Sequence, residues 1–104
     1  MEKNTFLKMK FETIHEVENF ILLLNLGILV ALKHQLIPID MAEAILYNPL
    51  IKKVLKQIGV NNEIAEFLIH EGWELDAIKA LDKDLYIQTI DNKIEYIFNF
   101  FKRE

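Results

Sequence analysis

The longest apolar stretch of the chain runs from Phe20 to Leu32, and only two of its residues are not hydrophobic. The preceding segment, Thr13–Glu16, has a Thr-x-x-Glu spacing in which the hydroxyl and the carboxylate can each accept a hydrogen bond from a backbone amide at a helix start. Pro38 ends the helix, because the residue before a proline is pushed out of helical geometry. The pattern therefore predicts a long central helix over about Ile14–Leu36.

Asn25 and Gly27 are the two residues that interrupt this apolar stretch. A glycine within a helix costs up to about 1 kcal/mol relative to alanine, so we expect a second backbone to approach closely at Gly27. A buried Asn25 would need hydrogen-bond partners for its amide. Two interpretations account for both residues: a tight helix crossing inside the monomer, or a crossing on a two-fold axis between two copies in which Asn25 specifies the register.

Further helices follow, each marked by its own start or stop signal. Asp40 is a good N-terminal cap, Asn48 and Pro49 start the next helix, and Gly59 ends it in the left-handed conformation that favours glycine. Gly72 is expected to break or bend a later helix. The predicted helices are residues 41–47, 49–58, 63–70 (after a cap at Asn61 or Asn62), 73–81 and about 91 to the C-terminus.

The helix over residues 49–58 has apolar residues on one side and lysines on the other. We expect the following residues to face inward: Leu50, Val54, Leu55 and Ile58. The residues expected to face solvent are Lys52, Lys53 and Lys56. Lysines after a short helix suggest a DNA-binding helix-turn-helix as a third function, but Arg103 is the only arginine and arginine is the favoured reader of guanine. No nucleic-acid partner is expected.

Two segments have the composition or the alternation of β-strands. Residues 5–12 alternate apolar with charged side chains, and Leu85–Ile90 is rich in residues that favour strands. A short terminal strand pair is therefore possible, and an extended N-terminal arm packed on the helices is the equal alternative.

The length, composition and net charge of the chain favour a single helical domain over residues 1–104. The chain is 52% hydrophobic with a net charge of −4, which is typical of a folded rather than a disordered protein. The apolar run is shorter than the roughly 20 residues of a membrane span, and the first residues do not have the pattern of a secretory signal. We expect a cytoplasmic, mostly α protein, with five to six helices packed around the long central apolar helix and no membrane span.

Several short segments together resemble a known family. They are Gly27–Lys33, Ile37-x-Ile39-Asp40, Ala42-Glu43-x-x-Leu46, Pro49, Val54-Leu55-x-x-Ile58-Gly59-Val60 and Ile69-His70-x-Gly72-x-Glu74-Leu75-x-x-Ile78. Their order is similar to that in a family of small bacterial helical proteins, about this length, of unknown function. Members carry Gly-Thr-Glu-Leu-Glu-Asp where this chain has Gly72–Ala77, so its acidic patch is thinner. The resemblance implies a fold and no mechanism.

The chain offers few groups for catalysis. It contains no cysteine and no serine, and its three glycines are too far apart to form a phosphate-binding loop. One cluster of titratable residues is dense enough to consider as an acidic patch: Glu66, His70, Glu71, Glu74 and Asp76. Carboxylates one helical turn from His70 suggest, as an alternative function, a metal-binding or acid–base site. Otherwise this is a solvated acidic face, and no cofactor is expected.

The C-terminal segment is rich in aromatic residues. One helical stripe can bury Phe98 and Phe101. Tyr96, Phe100 and Trp73 then form an exposed patch of the kind found at partner surfaces, unless the helix is sandwiched inside the fold. The residues of the candidate interface are Asn25, Gly27, Trp73, Tyr96, Phe98, Phe100 and Phe101. The sequence thus predicts a non-enzymatic interaction or regulatory protein that forms a homodimer or binds another protein.

Overall fold

A computed structural model describes residues 10–102, except for the side chains of residues 69–71 and 73. This part of the chain forms five helices and contains no strand. The helices are α1 (Ile14–Lys33), α2 (Ile39–Ile45), α3 (Pro49–Ile58), α4 (Asn62–Leu81) and α5 (Lys83–Lys102). The mostly α fold with a long apolar helix is therefore confirmed.

The helices begin where local capping chemistry predicts. At the start of α1, Thr13 Oγ1 accepts the Glu16 N–H at 3.2 Å, and the Glu16 carboxylate accepts the Thr13 N–H at 3.0 Å. Asn48 caps α3 by accepting the Ile51 N–H at 3.0 Å. The prediction that Asp40 caps α2 is wrong, because α2 begins at Ile39 after Pro38. Asp40 instead lies inside the first turn, where its carboxylate interacts favourably with the helix dipole.

The second expected strand is instead the first part of α5. Residues 85–90 are helical, and α5 begins at Lys83 rather than near residue 91. The Asp82 carboxylate accepts the Leu85 N–H at 3.1 Å, which satisfies one of the free amides at this helix start. Tyr86 and Ile90 are buried on the inner side of the helix. Tertiary packing thus outweighs the weak intrinsic preference for a strand, while most of the first strand segment lies outside the described residues.

Gly72 does not end a helix, because α4 continues through it to Leu81. A Cβ atom at position 72 would lie 2.5 Å from Tyr47 Cβ and 3.4 Å from the Tyr47 carbonyl oxygen. Gly72 therefore provides the space in which α4 passes close to the chain at the end of α2. The close approach expected at a glycine occurs here, and not at Gly27.

The helices form a flat molecule. Helices α4 and α5 are antiparallel neighbours joined at Asp82, α1 packs mainly on α5, and both α2 and α3 pack on α4. The extents of 41 × 40 × 21 Å correspond to about two layers of helices. The largest fully buried apolar side chains come from α1, α4 and α5, with one from the end of α2: Leu22, Leu29, Leu46, Leu68, Leu75, Ile90 and Ile97. Helix α1 is consequently covered on one side only.

The C-terminal ends of α1 and α3 close in the same way but with different residues. The Gln35 N–H donates to the Leu32 carbonyl and the Leu36 N–H to the Ala31 carbonyl, a pattern that requires a left-handed residue. Gln35 has φ 58°, whereas the equivalent residue of α3 is Gly59 with φ 94°. A residue with a Cβ atom is strained in this backbone conformation, whereas glycine is not. Gln35 therefore lowers the stability of the fold relative to a glycine at the same position.

We expect Gln35→Gly to raise the free energy of unfolding by about 1 kcal/mol, because glycine adopts the left-handed conformation without strain. Gly59→Gln is the matched reverse change and should lower the free energy of unfolding by a similar amount. Urea denaturation followed by circular dichroism measures both. A loss of stability in Gln35→Gly would show that the glutamine side chain stabilises the fold by more than its backbone strain costs.

Candidate functional site

The outer face of α1 carries an apolar stripe, Leu23, Gly27 and Val30, which we call the α1 stripe. Spacings of four and three residues place all three on one side of the helix. Leu23 is 56% exposed and Val30 is 40% exposed. Nothing lies within 4 Å of a Cβ atom built at Gly27. The close approach expected at Gly27 therefore does not occur within the described chain, and the stripe is open.

The inner face of α1, in contrast, buries polar groups. Asn25 is fully buried, and its Oδ1 accepts a hydrogen bond from the Tyr47 hydroxyl. Glu18 is also buried, and its Oε2 accepts the Asn61 N–H at 2.7 Å at the start of α4. The expectation that a buried Asn25 needs partners is met inside the monomer for Oδ1, whereas Nδ2 has no hydrogen-bond partner among the described residues, and Asn25 contributes to no surface. The inner face of α1 thus buries these two polar residues among apolar ones, Leu22, Ile28, Leu29 and Leu32, while the α1 stripe stays open on the outer face.

Two members of the predicted acidic patch pair with lysines. Glu66 Oε1 lies 2.9 Å from Lys52 Nζ and 3.2 Å from Lys56 Nζ, and these two hydrogen bonds lower the pKa of Glu66 below its usual value. Glu74 Oε2 lies 3.3 Å from Lys93 Nζ. Among the described residues, no group of three or more metal-ligating side chains comes together. Glu66 and Glu74 therefore each pair with lysine and do not converge on a shared metal site.

The remaining acidic patch residues have different surroundings. Asp76 is exposed, and its carboxylate, with that of Asp40, contributes to raising the pKa of Glu43, for which partial burial is the larger cause. The side chains of His70 and Glu71 lie outside the described residues. The alternative of a site centred on His70 consequently stays a prediction.

Helix α3 places two of its three lysines, Lys52 and Lys56, beside Glu66 of α4 and leaves most of its apolar side open. Of the four residues expected to face inward, only Leu55 is buried, while Leu50 is 68% exposed and Val54 and Ile58 are also exposed. That prediction was wrong for three residues, because α3 lies on α4 along the edge that carries Leu55 and the two lysines paired with Glu66. The lysines of α3 and the carboxylate of Glu66, which are separated in sequence, therefore partly neutralise one another in the fold.

The aromatic residues of α5 do not form one exposed patch. Tyr96 stacks on Phe67 with ring centroids 4.6 Å apart, and its hydroxyl donates to the Glu63 carboxylate. Two other rings, Phe100 and Phe101, are half-buried and meet edge to face at 6.1 Å. Phe98 is exposed, and the Trp73 side chain lies outside the described residues.

Sequence reasoning missed a cavity of about 500 Å³ where the end of α1 meets the junction of α4 and α5. Its polar lining residues are Gln35, Lys79, Lys83 and Tyr86. Tyr86 is buried, which raises the pKa of its hydroxyl, and within the described part of the chain that hydroxyl has no hydrogen-bond partner. Lys79 Nζ lies 5.7 Å from the centre of the Tyr86 ring. The only sequence signal is two lysines four residues apart on either side of Asp82.

One described helix, Ile14–Lys33, is long and apolar enough to cross a membrane by length and composition, with a mean hydropathy of 1.5. The same test is passed by core helices of soluble proteins. The placement of α1 in the fold, with 28% of the tested window buried, is that of a helix packed on one side.

These features define a small all-α protein of five described helices in which the apolar helix α1 is open on one face. The family described as "Protein of unknown function (DUF3969)" matches residues 12–103, so the chain belongs to this family. This confirms the resemblance to a family of small helical proteins of unknown function. No curated protein and no solved structure matches the chain.

Proposed function

We propose that this protein is a non-enzymatic interaction protein that forms a two-fold homodimer through the α1 stripe. The observation that supports the proposal is the exposed apolar stripe on the outer face of α1. Its inner face buries Glu18 and Asn25, while Leu23 and Val30 lie in solvent on either side of Gly27. Burial of apolar surface is favourable by about 25 cal/mol of free energy per Å² removed from water. A second copy of the same face would bury the α1 stripe in this way.

The α1 stripe has the properties of a self-complementary surface. No charged residue occurs between Glu18 and Lys33, so two copies can meet without burying a charge. In an antiparallel crossing centred near Gly27, Leu23 of each copy lies beside Val30 of the other, as a two-fold interface requires. Glycine at the crossing point lets the two backbones approach, which explains a residue that costs α1 helix stability.

The solution mass tests this proposal. We expect light scattering to give twice the monomer mass of 12.3 kDa. Leu23→Glu should weaken the dimer by about tenfold or more, because the interface would then bury two carboxylates. Leu81→Glu is the matched control: Leu81 is 87% exposed and lies outside the stripe, so this variant should remain a dimer.

Two results would contradict the proposal. One is a mass of 12.3 kDa for the unaltered chain at high micromolar concentration. The other is an equal loss of dimer in Leu81→Glu and Leu23→Glu, which would indicate general aggregation instead of a defined interface.

We further propose that the protein is cytoplasmic and that α1 does not span a membrane. Support comes from Glu18 and Asn25, which receive hydrogen bonds from Asn61 and Tyr47 of the same chain. Polar groups inside a bilayer are expensive without such partners. Fractionation tests the proposal: the protein should remain in the supernatant after ultracentrifugation, and recovery in the membrane pellet would contradict both this location and a free α1 stripe.

A further inference from the structure

We propose that the cavity beside Tyr86 binds a small amphiphilic anion, a molecule with an anionic oxygen headgroup on an apolar body. The cavity lies where the connection from α1 to α2 meets the junction of α4 and α5. This proposal is independent of self-association, because none of the α1 stripe residues lines the cavity.

The size and apolar part of the cavity suit such a ligand. Its volume of about 500 Å³ lies within the range of small-molecule pockets. Its apolar lining residues are Leu32, Leu36, Ile37, Pro38 and Ile87. Leu36 is 73% exposed at the rim, where it can cover a bound chain. A linear alkyl group would therefore leave water on entering the cavity.

Two lysines supply positive charge to the cavity lining. Lys79 near the end of α4 and Lys83 at the start of α5 both line the cavity. Among the described residues, neither forms an ion pair with a carboxylate. Four other lysines do form such pairs: Lys33, Lys52, Lys56 and Lys93. Asp82, between the two cavity lysines, is not one of the lining residues, and its carboxylate accepts the Leu85 N–H at 3.1 Å.

Two further polar groups of the wall support a ligand. The Tyr86 hydroxyl is buried and has no hydrogen-bond partner in the described part of the chain, which is costly unless another molecule supplies one. Gln35 lines the same cavity from a strained left-handed backbone conformation. Two cations and an amide thus line one cavity beside Tyr86, and an anionic oxygen can accept hydrogen bonds from all three.

Isothermal titration calorimetry with four probes tests the proposal. Decanoate and decyl phosphate represent the two headgroups, decanol has the apolar chain without charge, and inorganic phosphate has charge without the chain. We expect one molecule of decanoate or decyl phosphate to bind per chain, and the tighter of the two identifies the headgroup. Decanol and inorganic phosphate should each bind about tenfold more weakly or not at all, because each lacks one half of the interaction.

Variants at the cavity wall locate the binding site. Lys79→Met combined with Lys83→Met keeps the apolar stems, removes both charges and should weaken binding of the preferred probe by about tenfold or more. Lys53→Met, an exposed lysine of α3 outside the cavity, is the control and should not change binding. Leu36→Glu is a second, independent variant that places a negative charge at the rim and should also weaken binding.

Three outcomes would overturn the proposal. They are equal binding of decanol and decanoate, unchanged binding in the double lysine variant, and binding to vesicles of phosphatidylglycerol without binding to any free probe. Circular dichroism of each variant confirms folding, and both lysines are exposed, so their replacement should leave the helices intact.

Discussion

Gly72→Ala is expected to lower the free energy of unfolding by about 1–3 kcal/mol, although alanine is the better helix former. The added Cβ atom would lie 2.5 Å from Tyr47 Cβ. That atom is attached directly to the backbone, so a change of side-chain rotamer cannot move it away. Helix α4 or the end of α2 must shift, and both pack into the core. Urea denaturation monitored by circular dichroism measures the loss.

Gly27→Ala is the matched control for this prediction. It is the same substitution in the interior of a helix of the same length, but a Cβ atom at position 27 meets nothing within 4 Å. We expect the free energy of unfolding to rise by about 0.5–1 kcal/mol. Both variants should be measured in the Leu23→Glu background, so that self-association does not contribute. A loss of stability for both variants would contradict this placement of the two glycines.

The hydrogen bond between Asn25 and Tyr47 gives the second large effect. Asn25→Leu should lower the free energy of unfolding by about 1–3 kcal/mol, because the buried Tyr47 hydroxyl loses this acceptor. Tyr47→Phe should also be destabilising, since it leaves the buried Asn25 oxygen without this donor. The double variant should cost clearly less than the sum of the two, because it removes both polar groups together.

A double-mutant cycle measured by urea denaturation gives the coupling energy of this pair, and Tyr86→Phe provides its control. The Tyr86 hydroxyl has no partner in the described part of the chain, so Tyr86→Phe and Asn25→Leu should add within about 0.5 kcal/mol. Additivity of the Asn25 and Tyr47 variants would show that their hydrogen bond contributes nothing to folding.

The features that the sequence predicted correctly are those that neighbouring residues determine. Thr13 and Glu16 cap each other across three residues, Asn48 caps the helix that Pro49 begins, and Gly59 adopts its left-handed conformation within a single turn. Each depends on backbone groups only a few positions away. For the same reason the helix boundaries that rely on caps agree with the structure to within a few residues, whereas the start of α5 does not.

The features that could not be predicted depend on residues far apart in sequence. Gly27 and Gly72 look alike as helix interruptions, and only the position of Tyr47 decides which of them meets a neighbour. Helix α3 has an apolar face wide enough to be buried, but only Leu55 of that face is covered, and the edge that lies on α4 also carries Lys52, which pairs with Glu66. A periodic pattern shows that a face is apolar and does not show what covers it.

The candidate site shows the same limit. The sequence shows that a buried Asn25 would need a hydrogen-bond partner, but only the structure identifies that partner as Tyr47. The cavity beside Tyr86 takes its walls from the end of α1, the end of α4 and the start of α5, and none of these segments has a recognisable binding motif. Lys79 and Lys83 differ from four other lysines of the described helices in forming no ion pair with a carboxylate there, and this difference is visible only in the structure.

The antiparallel pairing of α4 and α5 has a consequence for the order in which the chain folds. Their cross-helix contacts, such as Phe67 with Tyr96 and Glu74 with Lys93, close short loops, and contacts of this kind form early. The bond from Asn61 to Glu18 spans 43 residues and must form later, when α1 docks. We therefore expect the helical hairpin to be the folding nucleus, and contacts made by α1 to control mainly the unfolding rate.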